Sequence, residues 1–249
     1  MKESLMKQKP TITAIILCGG MGTRLRSITQ DQTCKPMVDV AGKPFLEYLL
    51  DYCISQNIAH VILAVGHHRN TIMEYFGHQH KNLTISYSIE EHPLGTGGAL
   101  KQALSQPYAQ QSDLILALNG DSFISFSLTE MIEQLNNQNA ELIMVLRSLD
   151  NTGRYGRVTV DEHNKLIAFE EKKGGHPGNI NSGVYLMRPN LSDQFPRQNT
   201  FSFETDFLEA EIGHAPFYGV YTNNYFIDIG TPEDYQIAQR DFAQQQHIS

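Results

Sequence analysis

Cysteine is scarce in this chain of 249 residues: Cys18, Cys34 and Cys53 are the only three. An odd count at irregular spacing, with no CxxC pair, excludes a disulfide framework and a zinc site, so reduced and mostly buried thiols are expected. Long apolar runs are also missing. The longest, AIILC and VILAV, are strand-length, far short of the ~20 residues that span a bilayer. The opening MKESLMKQKP has no apolar leader core, and a cytoplasmic protein is the expectation. Positive charge is short as well: 19 Lys and Arg stand against 27 Asp and Glu, for a net charge of -8. No basic run stands out, which argues against nucleic acid and leaves room for a small phosphorylated ligand held by local cations and backbone N–H groups. Repeats, low-complexity tracts and long linkers are absent too, and without hexapeptide repeats a second, acyltransferase-type unit is not expected.

What is present is an ordinary globular composition, 41% hydrophobic and 18% charged, suited to one folded domain with a sizeable core. Short β-rich apolar runs at 14–18, 61–65, 85–89, 114–118 and 142–146 alternate with amphipathic stretches at 45–56, 70–76, 97–104 and 128–136. That alternation predicts parallel strands joined by helical crossovers, a doubly wound α/β sheet. After about Asp150 the rhythm changes to closely spaced strands at 157–160, 166–169 and 183–187, a helix near 205–211, and a terminal helix capped by Thr231 with Pro232 in its first turn. This second part reads as a smaller β-rich lobe. A division near 150 within one domain of residues 1–249 is expected, and KGGHPGN at 173–179 reads as a flexible loop.

The first strand runs into GGMGTRL at 19–25. Adjacent glycines let backbone N–H groups face a phosphate, and Arg24 adds a fork of donors. A structural turn would use the same glycines. A P-loop requires Lys-Ser/Thr where Thr23-Arg24 stands, and a dinucleotide fingerprint requires a glycine where Leu25 sits, so an NAD-dependent oxidoreductase is disfavoured. Lys35 is followed by a rigid Pro36, and Asp121 and Asp228 each follow or sit in an apolar strand, where open α/β sheets place ligands. The histidines of His67-His68 and His78-Gln79-His80 lack a third convergent ligand and read as solvent-facing.

Taken together, GGMGTRLRS…CKPM, GKPFLEY, EEHPLGTGGAL, LNGDSF, FEEK, NSGVY and FIDIGTPEDY, in this order over nearly the whole chain, resemble the sugar-1-phosphate nucleotidyltransferases. FSFETDFLE, RYG and YFIDIGTPEDY are most similar to the branch that acts on D-glycero-α-D-manno-heptose 1-phosphate. The resemblance implies a Rossmann-like mixed sheet of the nucleotide-diphospho-sugar transferase type with a small sugar-binding lobe. It implies GTP and a heptose 1-phosphate as substrates, with mannose 1-phosphate or another hexose and nucleotide as the alternative, Mg²⁺ as cofactor, and a homo-oligomer as a possible assembly. A catalytically silent nucleotide-sugar-binding protein would share the fold; Arg24, Lys35, Asp121 and Lys172, all present, argue against it.

By the same resemblance Leu17, Gly19, Gly20, Gly22, Thr23, Arg24, Lys35, Glu91, Gly95, Thr96, Gly98 and Asp121 serve the nucleotide. Gly120, Tyr155, Gly156, Glu171, Lys172, Asn181, Gly183, Glu204 and Asp228 serve the sugar phosphate. Arg24, Lys35 and Asp121 form the catalytic set, Asp121 and Asp228 the metal ligands, and the small residues of GTGG leave room for a base. Cys34 stands where the family usually has proline, which is expected to loosen the loop before Lys35.

Overall fold

A computed structural model describes residues 9–20, 22, 25–29, 33–170 and 175–244. The first half places strands β1 (Ile12–Leu17), β2 (Asp39–Val40), β3 (Lys43–Pro44), β4 (His60–Val65), β5 (Gln79–His80), β6 (Leu83–Ile89), β7 (Leu114–Asn119), β8 (Ser122–Ile124) and β9 (Leu142–Leu149). Helices α1 (Arg26–Thr29), α2 (Phe45–Ser55), α3 (Arg69–Phe76), α4 (Gly95–Leu104), α5 (Pro107–Gln110) and α6 (Leu128–Asn137) lie between them. Then follow β10 (Arg157–Val160), β11 (Leu166–Glu170), β12 (Gly178–Met187), a π-helical turn at Phe203–Leu208 continuing into α7 (Glu209–Glu211), β13 (Phe217–Tyr221), β14 (Phe226–Asp228) and α8 (Pro232–Ala243).

β1 is flanked by parallel β4 and β7, and β6 lies parallel on β4. The chain therefore steps outward on one side of β1 and returns on the other, which opens a crevice at the carboxyl ends of β1 and β7. Alternate residues of these strands bury on opposite faces. Ile16, Leu63 and Leu116 join a core with α2, α6 and α8, while Ile15, Ile62 and Ile115 join a second core with α4 and the phenylalanines Phe201, Phe203, Phe207 and Phe217. Burial on both faces explains why β1, β4 and β7 read as unbroken apolar runs.

The strands after Asp150 extend the same sheet. β12 runs antiparallel between β7 and β9, β10 pairs with the start of β12, and β13 closes the edge parallel to β9. Among the described residues this makes one ten-stranded sheet. The expected loop at 173–179 is strand from Gly178 onward, where Asn179 pairs with Ser148 and Val158; Lys173 and Gly174 lie outside the described residues. Thr231 caps α8 as expected, accepting from the Asp234 N–H at 3.2 Å. The three cysteines are free and buried. No described helix is long and apolar enough to cross a membrane.

Candidate active site

The crevice is built by backbone turns at the strand ends. Gly120 follows β7, and its N–H donates to the Leu17 carbonyl at 3.0 Å; a Cβ there would lie 2.6 Å from that oxygen, so only glycine lets the two strand ends meet. Gly19 packs against the Glu90 carboxylate, which would stand 2.1 Å from a Cβ at that position. Gly22 has φ +59 and covers the Lys35 stem, with a Cβ position 3.0 Å from Lys35 Cγ, while Gly20 faces open space. Lys35 is held in a tight 3₁₀ turn with Pro36 in its first positions. Cys34 does not loosen this turn: it is 3% exposed, and its carbonyl accepts from Met37 N–H at 2.9 Å. Burial pushes the Cys34 thiol up to about 11, so Cys34 is a packing residue.

Lys35 Nζ donates to Asp121 Oδ2 at 2.9 Å from a side chain only 8% exposed. β8 and β14 pair antiparallel with Ser122 opposite Asp228, and Ile229 N–H donates to the Asp121 carbonyl at 3.0 Å. That two-stranded clip brings carboxylates 107 positions apart in sequence to one place. Burial, and then the nearby Asp121 charge, push the Asp228 carboxyl up to about 6 against the opposing pull of Lys35. Asp228 Oδ1 is buried and has no hydrogen-bond partner among the described residues. An orphaned carboxylate oxygen beside a second carboxylate fits a hard divalent cation.

A bulge in β12 supplies another part of the cleft. Its register against β9 shifts between Asn181 and Tyr185, where Gly183 takes φ +79 and donates to Asn181 Oδ1 at 2.9 Å. Such a bulge re-aims side chains out of the ladder, and Asn181, Ser182 and Gly183 line the cleft. Asn181 Nδ2 donates to the Tyr185 hydroxyl at 2.6 Å, and that hydroxyl reaches Glu204 Oε1 at 3.4 Å. Gly156 lies flat on the Phe169 ring, which a Cβ would approach to 2.5 Å. Tyr155 packs edge-on to Phe226 and accepts from Arg154 at 3.1 Å.

One cleft of about 560 Å³ thus gathers Leu17, Gly19, Gly20, Gly22, Lys35, Gly95, Thr96, Asp121, Tyr155, Gly156, Asn181, Gly183, Glu204 and Asp228. Thr23, Arg24, Glu171 and Lys172 lie outside the described residues. Three expected positions fall elsewhere. Glu91 is exposed, pairs with Arg69 at 3.1 Å and faces an adjoining cleft with His67 and His68. Gly120 is spent on the strand contact, and Gly98 packs against the Asn199 carbonyl, 2.1 Å from where its Cβ would be. Gly97 likewise faces the Phe201 ring, so these two glycines of GTGG make room for the protein's own chain.

Two charged residues of the cleft, Glu90 and Arg154, were not assigned from sequence. Glu90, 8% exposed, stands one residue before Glu91; burial raises its carboxyl although it accepts from Leu94 N–H at 3.1 Å. Glu90 shares the parity of the buried Ser88, whereas the strand's apolar residues Leu83, Ile85, Tyr87 and Ile89 share that of Glu91, so alternation alone does not single it out. Arg154, quoted in RYG without a role, grips Asp234 with both terminal nitrogens, NH2 reaching Oδ1 at 3.1 Å. His80 is not solvent-facing: Nε2 meets Asp51 Oδ1 at 2.8 Å, close to Glu47. Lys43 and Lys81 already occupy Asp51 at 2.7 and 2.5 Å, so this trio is a structural ion-pair cluster.

Comparison with known proteins agrees with this geometry. Residues 13–245 match the family model described as nucleotidyl transferase. A D-glycero-α-D-manno-heptose 1-phosphate guanylyltransferase of Aneurinibacillus thermoaerophilus is 40% identical, over 92% of this chain and 97% of its own length. The enzyme of the same name from Campylobacter jejuni is 42% identical, over 89% and 96%. The crystal structure of HddC from Yersinia pseudotuberculosis superposes with a TM-score of 0.81 at 34% identity, covering 92% of this chain and 99% of that one; HddC has also been solved complexed with GMP-PN. With the site at the switch point of a mixed α/β sheet and the match running through both halves, the chain belongs to the nucleotidyl transferase family.

Proposed function

We propose that this protein transfers GMP from GTP to D-glycero-α-D-manno-heptose 1-phosphate, forming the GDP-sugar and releasing pyrophosphate. The observation that carries this reading is that one cleft gathers three kinds of group: the glycines Gly19, Gly20 and Gly22, suited to phosphates, the Lys35–Asp121 pair with Asp228, and the polar side chains Asn181 and Glu204, suited to sugar hydroxyls. The relatives named for this reaction match nearly their whole length.

Glu90 supports a guanine nucleotide. Guanine presents two adjacent donors, N1–H and the N2 amino group, to a carboxylate, and Glu90 is the buried carboxylate between the glycine turn and Gly95. In this reading Gly19, Gly20 and Gly22 cradle the triphosphate, with Arg24 and Lys35 as its cations. Lys172 with Glu171, Asn181 and Glu204 holds the sugar phosphate, and Tyr155 and Gly156 form the wall beneath the sugar.

Asp121 and Asp228 are the residues that would hold Mg²⁺, which would supply positive charge against the phosphates. The sugar phosphate is already an anion and needs no general base. Its oxygen forms a bond to the α-phosphorus of GTP as the α–β bridging bond breaks, and pyrophosphate leaves with the electron pair. The chain's own task is to bring two polyanions into line and hold them there. A pyrophosphate-release panel pairing GTP, CTP, UTP, dTTP and ATP with heptose, mannose and glucose 1-phosphates, with and without Mg²⁺, tests the reading. Metal-dependent release with GTP and the heptose 1-phosphate above every other pair is expected. Preference for mannose 1-phosphate or another nucleotide refutes the substrate assignment, and silence with all pairs refutes the reaction.

A further inference from the structure

Thr96 lines the cleft next to Gly95, but its hydroxyl is spent inside the protein. The oxygen accepts from Phe203 N–H at 2.9 Å, and its single proton goes to Glu204 Oε2 at 2.5 Å. A threonine hydroxyl has only that one proton to give. The backbone binds the same two segments: Phe201 N–H donates to Leu94 O at 3.0 Å, and Gly97 and Gly98 N–H donate to Phe201 O at 3.0 and 3.3 Å. Glu204 thus rides on a π-helical turn laced to the first turn of α4.

The two oxygens of Glu204 are held unequally. Oε2 accepts from Thr96 and also from Ser202 Oγ at 3.2 Å, whereas Oε1 has the longer contact, 3.4 Å, to the Tyr185 hydroxyl that accepts from Asn181. Anchoring through Oε2 fixes the plane of the carboxylate and leaves Oε1 the less engaged oxygen of a residue that lines the cleft with Asn181. An acceptor held this way is suited to a sugar hydroxyl, which brings its own proton.

We propose that Thr96 is a positioning residue for the sugar 1-phosphate rather than a contact of the nucleotide, acting by fixing Glu204 so that Oε1 accepts a hydroxyl of the sugar. This rests on the reading that Asn181 and Glu204 form the sugar end. The consequence is a split: loss of the Thr96 hydroxyl weakens the ligand that Glu204 serves and spares the nucleotide.

Calorimetry on the full-length protein with Mg²⁺ reads both ligands, using a GTP analogue with an uncleavable α–β bridge and, in its presence, the sugar 1-phosphate that the wild-type protein binds. Thr96→Val is expected to raise the sugar-phosphate Kd about tenfold, as loss of a charge-assisted hydrogen bond does, and to leave the nucleotide Kd within about twofold. Thr96→Ser restores the wild-type value. The double variant with Glu204→Gln binds no more than about twofold worse than Glu204→Gln alone, because the two residues act as one unit. Should Thr96→Val lose its fold by circular dichroism, Ser202→Ala removes the other hydroxyl on Oε2 and carries the same split at about threefold. A rise in nucleotide Kd with an unchanged sugar Kd, or additive effects in the double variant, overturns the proposal. A wild-type preference for mannose 1-phosphate refutes only the choice of sugar, and the Thr96 split is then read with that ligand.

Discussion

Asp121 Oδ2 accepts from Lys35 at 2.9 Å, and the β8–β14 clip sets Asp228, whose Oδ1 lacks a partner among the described residues, opposite the next residue, Ser122. Asn at position 121 keeps the size and one acceptor oxygen but removes the charge that pairs with Lys35 and that the proposed Mg²⁺ site needs. Asp121→Asn is therefore expected to slow turnover by a factor on the order of 10² or more, with an unchanged circular-dichroism spectrum. Pyrophosphate release near the wild-type rate from the folded variant contradicts the role. The residues that carry charge in the cleft differ in how legible they were. Lys35 and Asp121 each sit beside a rigid or apolar marker, Pro36 and the strand LILAL, so their placement follows from local sequence. Glu90 and Glu91 are adjacent and chemically identical, and the apolar alternation of β6 (Leu83, Ile85, Tyr87, Ile89) falls on the parity of Glu91, so the burial of Glu90 is set by packing against Gly19 and Leu94 and not by local pattern.

At the scale of elements, the strands and helices with a clear period were readable to within a few residues: 61–65 is His60–Val65, 157–160 is Arg157–Val160, and 45–56 is Phe45–Ser55. The elements defined by a partner were not. The bulge in β12, the β8–β14 clip and the π-helical turn at Phe203–Leu208 exist because of what they pack against, and local propensity does not encode a partner 100 residues away. GTGG shows the difference. Its glycines read as space for a base, but Gly97 and Gly98 admit the 199–203 segment against α4. At Gly98 the obstacle to a Cβ is backbone, the Asn199 carbonyl at 2.1 Å, which cannot swing aside. Gly98→Ala is expected to destabilise the protein by about 1–3 kcal/mol, the usual range for overpacking, and to weaken the sugar phosphate along with Glu204. Denaturant unfolding checks the first part; an unchanged midpoint would show that the segment is free to move.

For the whole molecule, the change of rhythm near Asp150 marks a change in connection length and no break in the sheet. β12, at Gly178–Met187, is threaded between β7 and β9, both of which come from the first half. Remove everything after Asp150 and β7 keeps β1 but loses its β12 partners for Ile115 to Leu118, while β9 loses β12 on one side and β13 on the other. The loss extends to the second core: Tyr185, Phe201, Phe203, Phe207 and Phe217 are each at most 3% exposed in the intact chain and pack with Ile15, Ile62 and Ile115. A bare edge of buried strand with one apolar face uncovered is an aggregation template. The fragment 1–150 is therefore expected to be insoluble or unfolded by circular dichroism, and the full-length chain to unfold in one transition seen alike by far-ultraviolet dichroism and tyrosine fluorescence. A soluble fragment with native dichroism that still binds GTP, or two separated transitions in the intact protein, would mean that the nucleotide half folds alone. The site gives a reason for the single unit. Lys35 and Asp121 come from one half, Asp228, Asn181 and Glu204 from the other, and a sheet continuous through both holds two charged substrates at fixed spacing without a hinge to be paid for at each turnover.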